Sequence, residues 1–137
     1  VVQGDAETHL ADYPSAAFNY VVFSHSFQSL ARPRETLRQA GRVGEKVIVS
    51  IRNGAHWRSR WQLMSKGRVA PPSGPSWADG ELKRACSVRD FASLVREMRF
   101  AIETAVPLSK GRPGAPFAKM LWRANVFAEE AVFLLTP

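Results

Sequence analysis

Three features of this 137-residue sequence predict an α/β fold, with a mostly parallel sheet and an antiparallel strand at its C-terminal end. The first is a pair of almost continuous apolar runs, residues 18–24 (FNYVVFS) and 46–51 (KVIVSI). Runs of this kind, bounded by turn formers, are expected of parallel strands covered on both faces. The second is the helical stretch 33–40 (PRETLRQA) between them, which completes a βαβ unit of about 35 residues. The third is a closing pair of strand-like segments, 100–108 (FAIETAVPL) and 130–135 (EAVFLL). They are separated by the Gly/Pro-rich stretch 109–116, so an antiparallel pair with a long connection is expected.

Taken in order, Val1-Val2-Gln3-Gly4-Asp5 reads as a strand end running into a loop. The chain starts with Val1 and carries no signal-peptide pattern, which predicts a start inside a domain. The helix after the first full strand has Pro33 at a tolerated first-turn position, with Gly41 and Gly44 expected to close it. Residues 56–64 (HWRSRWQLM) place Trp57, Trp61 and Met64 on one face of a short helix. The stretch 66–80 holds three prolines and three glycines, so a long loop, a lid or a disordered excursion, is expected there. Ser87 followed by Asp90 is a capping-box variant, and Phe91, Leu94, Val95 and Met98 have helical spacing to about Arg99. The expectation is one N-terminally truncated domain over 1–137, with loops at 65–80 and 109–116.

Composition narrows the function. With 45% hydrophobic and 23% charged residues, neither a disordered tail nor a collagen-like repeat fits. No apolar run reaches the ~18 residues of a membrane span. The single cysteine, Cys86, excludes an internal disulfide framework and a thiolate zinc knuckle, and suits a reducing, cytoplasmic setting. The net charge of +7 comes from nineteen cations, fourteen of them arginine, a residue suited to forked contacts with carboxylates or phosphates. Such a balance permits a nucleic-acid partner without naming one.

In open α/β sheets, ligands bind beyond the carboxyl ends of the strands. That rule selects Gly4-Asp5-Ala6, Ser24-His25-Ser26 and Arg52-Asn53-Gly54. Asp5 can accept hydrogen bonds from a donor such as an adenine amine, although an isolated Asp is more often a turn or cap residue. His25 invites a catalytic reading, but there is no G-x-S-x-G elbow, and a structural histidine is the commoner case. His9, His25 and His56 lack metal-ligand spacing. The stretch 52–68 interleaves Arg52, Arg58, Arg60, Lys66 and Arg68 with His56, Trp57 and Trp61. Such a mixture can grip phosphates and stack bases. The preferred reading is a helix that buries its tryptophans on the sheet and keeps its arginines solvated. Cys86 is expected to be a small buried residue at a helix start. No G-x-G-x-x-G or G-x-x-x-x-G-K-[ST] cradle is present.

A resemblance sharpens this picture. Gln3-Gly4-Asp5-Ala6-Glu7, Tyr13-Pro14 and the Phe18 strand resemble the middle of a class I S-adenosylmethionine-dependent methyltransferase domain. More narrowly, Pro33-Arg34, the LRQAGRVG run from Leu37, His56-Trp57-Arg58, Arg89-Asp90-Phe91 and Ala128-Glu129-Glu130-Ala131 resemble the MetW family of methionine-biosynthesis proteins, over about residues 2–135. The resemblance implies part of a Rossmann-like methyltransferase sheet whose opening strands and D-x-G-x-G loop are missing from these residues. It also implies a role in methionine biosynthesis, assisting a homoserine O-acyltransferase partner in the acyl-homoserine route. The alternatives are a methyltransferase acting on a small molecule and a basic nucleic-acid-binding module. S-adenosylmethionine is implied as the cofactor of a full-length protein, with no tight binding by this stretch alone. The positions carried over for it are Asp5, Ala6, Ser24, His25 and Ser26. Arg52, Asn53, His56, Trp57 and Arg58 are carried over as partner or substrate surface. In the usual strand order the missing first strand lies beside the Phe18 strand, which is therefore expected at a sheet edge, an aggregation hazard.

Overall fold

The computed structural model describes residues 6–67, 86–116 and 121–137. A short helix α1 (Ala6–His9) precedes strand β1 (Phe18–Phe23), helix α2 (Pro33–Val43) and strand β2 (Gly44–Arg52). Helices α3 (Trp57–Lys66) and α4 (Val88–Glu97) follow, then strands β3 (Ala101–Ser109) and β4 (Arg112–Pro113). Helix α5 (Leu121–Phe127) leads into the last strand, β5 (Glu130–Thr136). The five strands form one sheet in the order β1-β2-β5-β3-β4.

The two apolar runs do lie side by side in the same direction, with Phe18 opposite Gly44 and Phe23 opposite Val49. The expected pair of final strands also forms, antiparallel, from Ala101 opposite Thr136 to Leu108 opposite Glu130. The mostly parallel sheet needs correction. β5 inserts between β2 and β3 and opposes both, so among the described residues β1–β2 is the single parallel pair of strands. β3 and β5 are linked through a hairpin and a seven-residue helix. A parallel pair would have needed a crossover back to the far end of the sheet.

β1 and β2 read alike in sequence, yet neither is fully covered on both faces. Val47, Val49 and Ile51 are fully buried, whereas Phe18, Tyr20 and Val22 of β1 are exposed. The two sets lie on opposite faces: Phe18, Tyr20 and Val22 pair with Gly44, Lys46 and Ile48, while Val21 and Phe23 pair with Val47 and Val49 on the packed face. β1 is also the edge strand that the resemblance implied. α2 continues through Gly41 and ends at Val43, later than expected. A Cβ at Gly41 would come within 2.6 Å of the Phe100 ring, so this glycine permits close packing and does not stop the helix.

The core lies between the sheet and α2 and α4. Phe91 of α4 sets its ring against Phe27 and Phe133, with centroids 5.5 and 4.8 Å away. Leu37 and Ala40 of α2 and Val88 and Val95 of α4 close the layer. α4 starts with both halves of the capping box, the Asp90 amide donating to the Ser87 hydroxyl and the Ser87 amide to the Asp90 carboxylate.

Three further expectations change. α3 buries none of its residues; Trp57, Trp61 and Met64 are exposed, so the helix does not sink its tryptophans onto the sheet. The stretch 109–116 holds a tight turn, Lys110-Gly111, with φ of 52° and 72°, that pairs Ser109 with Arg112. Positive φ at both central residues is the two-residue hairpin geometry that matches strand twist. α5 was not anticipated; its signal is Leu121, Ala124 and Ala128, spaced three and four apart, the latter two buried. The expected loop at 65–80 lies largely outside the described residues, since α3 runs to Lys66 and Gly67 caps it at φ 61°.

Candidate functional site

β2 and β3 end, and β5 begins, at one margin of the sheet, where an α/β fold places its ligands. Asn53 organises this margin. Its buried side-chain amide donates to the carbonyls of Asn125 and Ala128, each at 2.8 Å, and its Oδ1 accepts from the Ala55 amide. Its own backbone amide donates to the Glu129 carbonyl at 2.8 Å. A buried amide with these acceptors locks the end of β2 to α5 and to the start of β5. Asn125 extends the lock: its Oδ1 accepts from the Arg89 amide in the first turn of α4. Asn53 and Asn125 are therefore tie points beneath the surface.

His56 caps α3. Its Nδ1 accepts from the Arg58 amide at 3.4 Å, and its ring is hydrogen-bonded to the Phe127 carbonyl. Burial is the main cause that holds its pKa below the usual histidine range. The ring is thus neutral at neutral pH, with the proton on Nε2.

Beside this cap lies a cleft of about 530 Å³, a size usual for small-molecule sites. One wall is the start of α3, with His56, Trp57 and Arg58. The hairpin residues Ser109, Lys110 and Arg112 form the facing wall, and Phe127 and Glu129 supply the base. The Arg58 guanidinium sits 5.4 Å from the Trp57 ring centroid, a cation–π distance. The Lys110 backbone amide donates to the Glu129 carboxylate at 2.9 Å.

A second group lies where β1 and β2 end. The His25 amide donates to the Ser50 hydroxyl at 2.9 Å, and φ at His25 is 54°. Its imidazole Nε2 is 4.0 Å from the Glu130 carboxylate, which also lies 3.9 Å from the Arg52 Nε. The Gln28 side chain bonds both backbone groups of Arg52, accepting from its amide and donating to its carbonyl, as a neighbouring strand would. Gln28 also donates to the Cys86 sulfur at 3.2 Å. Burial raises the Cys86 thiol above its usual pKa, so it is a protonated packing residue.

The residues selected from the sequence thus separate. His56, Trp57 and Arg58 meet in the cleft; Arg52 joins His25 at the other group; Asn53 is buried between them. Ser24, His25 and Ser26 are exposed and do not line the cleft. Asp5 lies outside the described residues, as does the Ala6 side chain. Sequence reasoning missed Lys110, Arg112, Phe127 and Glu129 as cleft residues. Glu129 and Glu130 were read as one word, yet they serve the two groups separately.

The family model described as methionine biosynthesis protein MetW matches residues 1–135. The chain belongs to the MetW family. Among solved structures, the chain resembles a SAM-dependent methyltransferase from Thermotoga maritima, described as a possible histamine N-methyltransferase, at 15% identity and a TM-score of 0.66. That match covers 99% of this chain and 62% of the other, so this member of the family spans under two thirds of that neighbour. A SAM-dependent methyltransferase from Archaeoglobus fulgidus matches at 14% identity and a TM-score of 0.54, over 100% of this chain and 67% of that one. The CurJ carbon methyltransferase matches at 14% identity and 0.53, over 96% and 33%. A search of curated proteins returned no match. The fold is therefore that of class I methyltransferases.

Ser24, His25 and Ser26 offer polar groups at the end of β1, but all three are exposed and no described residue closes over them. Among the described residues these three form no enclosed nucleoside pocket. No helix among the described residues is long and apolar enough to cross a membrane.

Proposed function

We propose that this methionine-biosynthesis protein acts by docking on a homoserine O-acyltransferase and raising its activity. The observation that carries the proposal is the outward face of α3 in a chain of the MetW family. Trp57, Trp61, Leu63 and Met64 stand exposed beside Arg58 and Arg60, with Trp122 and Phe127 of α5 also exposed. Aromatic, methionine and arginine side chains are the types enriched at the centres of protein interfaces. Leaving them in water does nothing for a lone domain, and an acidic partner surface would complement the net charge of +7.

The test mixes the natural full-length protein with a homoserine O-acyltransferase at micromolar concentration and measures complex formation and acyl-transfer rate together. A complex with a raised rate is expected; no complex, or a complex without a rate change, overturns the proposal. The methyltransferase-like fold supports a second reading, methyl transfer to a small molecule. Calorimetry of the full-length protein with S-adenosylmethionine decides it, since no binding removes that reading.

A further inference from the structure

We propose that the cleft between α3 and the β3–β4 hairpin binds a small organic oxyanion, a phosphate or carboxylate that carries an apolar or aromatic body. Charge is the first argument. Among the described residues, Arg58, Lys110 and Arg112 bring three cations to the cleft, and Glu129 is the one acid that lines it. None of the three cations forms an ion pair with a described residue. Elsewhere on the molecule, Arg34, Arg38 and Lys46 are each paired with a glutamate at 2.9 Å or less. A cleft with low-dielectric walls and surplus charge of one sign concentrates ligands of the other.

Shape is the second argument. Trp57 and Phe127 line the same space, so an anion held by the guanidinium groups would rest its apolar part on aromatic surface. The planar, forked donors of two arginines suit the paired oxygens of phosphate and carboxylate.

The hairpin gives the third. Lys110 occupies a left-handed position, φ 52°, which glycine, asparagine and aspartate adopt more readily. The turn type alone would favour Asn-Gly, so the lysine is held in a conformation that the local backbone disfavours. Its amide is anchored on the Glu129 carboxylate at 2.9 Å, and that contact fixes the turn against the cleft. Strain of this kind gathers at binding sites.

The experiment titrates the full protein with phenyl phosphate, benzoate and benzyl alcohol by calorimetry at low salt. The two anions should bind and the uncharged alcohol should not; the tighter anion identifies phosphate or carboxylate as the ligand class. Arg58→Ala with Arg112→Ala should weaken binding by about tenfold or more. Lys110→Asn supplies a control against misfolding, because it creates the favoured Asn-Gly turn. It should keep or raise the melting temperature while weakening the anion by about threefold. Arg38→Ala, on the outer face of α2, should bind as the parent does. Absence of binding at millimolar anion, equal binding of benzyl alcohol, or full affinity in both cleft variants overturns the proposal. Oxyanion binding does not depend on the acyltransferase: a protein that binds phenyl phosphate but fails to stimulate the enzyme removes the docking reading alone.

Discussion

α3 and α4 are both ten-residue helices, and they flank the same strand end, yet they put their side chains to opposite uses. The Asn53 backbone bridges to Cys86, so the two helices start from adjoining points. α4 buries Val88, Phe91, Ala92 and Val95; α3 buries nothing. α4 begins with a reciprocal serine–aspartate cap; α3 begins with a histidine whose ring also belongs to a cleft wall. The contrast separates a helix whose side chains hold the fold from one whose side chains are available for contact. Apolar residues recur at helical spacing in both, but α4 gathers them into a far stronger single stripe, so the pattern makes part of that distinction.

The comparison breaks first at Phe91. Phe91→Ala removes a ring packed between Phe27 and Phe133 and should cost about 3–5 kcal/mol of unfolding free energy. Urea denaturation followed by circular dichroism measures it; a loss below about 1 kcal/mol would mean that α4 is not the helix that secures the core. A smaller effect separates the two caps by pH. His56 has a depressed folded pKa, so the unfolded chain takes up the proton first. Its contribution is present above about pH 6.5 and is lost as pH falls through the folded value. Protonated His56 Nδ1 can no longer accept from the Arg58 amide. The Asp90 carboxylate, held below its usual pKa chiefly by the Ser87 backbone amide, keeps capping α4 to lower pH. Hydrogen exchange, corrected for intrinsic rates, should show α3 amides losing protection before those of α4 on acidification. Simultaneous loss would contradict the assignment. The smallest effect on stability belongs to Trp61→Ala, which should shift unfolding by no more than about 0.5 kcal/mol because the ring is exposed. The same substitution should weaken association with the acyltransferase, and unchanged association would remove α3 from the interface.

Much of the fold could be read from the chain because it rests on local signals. The βαβ unit, the Ser87–Asp90 cap and the closing antiparallel strands follow from patterns a few residues long. The cleft is different. His56, Trp57 and Arg58 form one short segment and stood out, whereas Lys110, Arg112 and Glu129 reach the site only through a hairpin and strand packed some fifty to seventy positions later. Asn53 shows the limit most clearly. Its place after a strand marks it as a site residue, but its partners on α5 and in the link from α5 to β5 make it a buried lock.

By itself, the sequence determined most of the strands and helices, though not α5 or the β3–β4 hairpin, together with the parallel start, the antiparallel finish and the family resemblance. Those properties follow from residue periodicity, caps and short motifs. Tertiary structure decided that β2 has a strand on each side while β1 lies at an edge, that α4 faces inward while α3 faces out, and that two adjacent glutamates serve two separate groups. Burial and charge pairing are set by what stands next to a side chain in space, and neighbours brought together by folding leave no periodic mark on the chain.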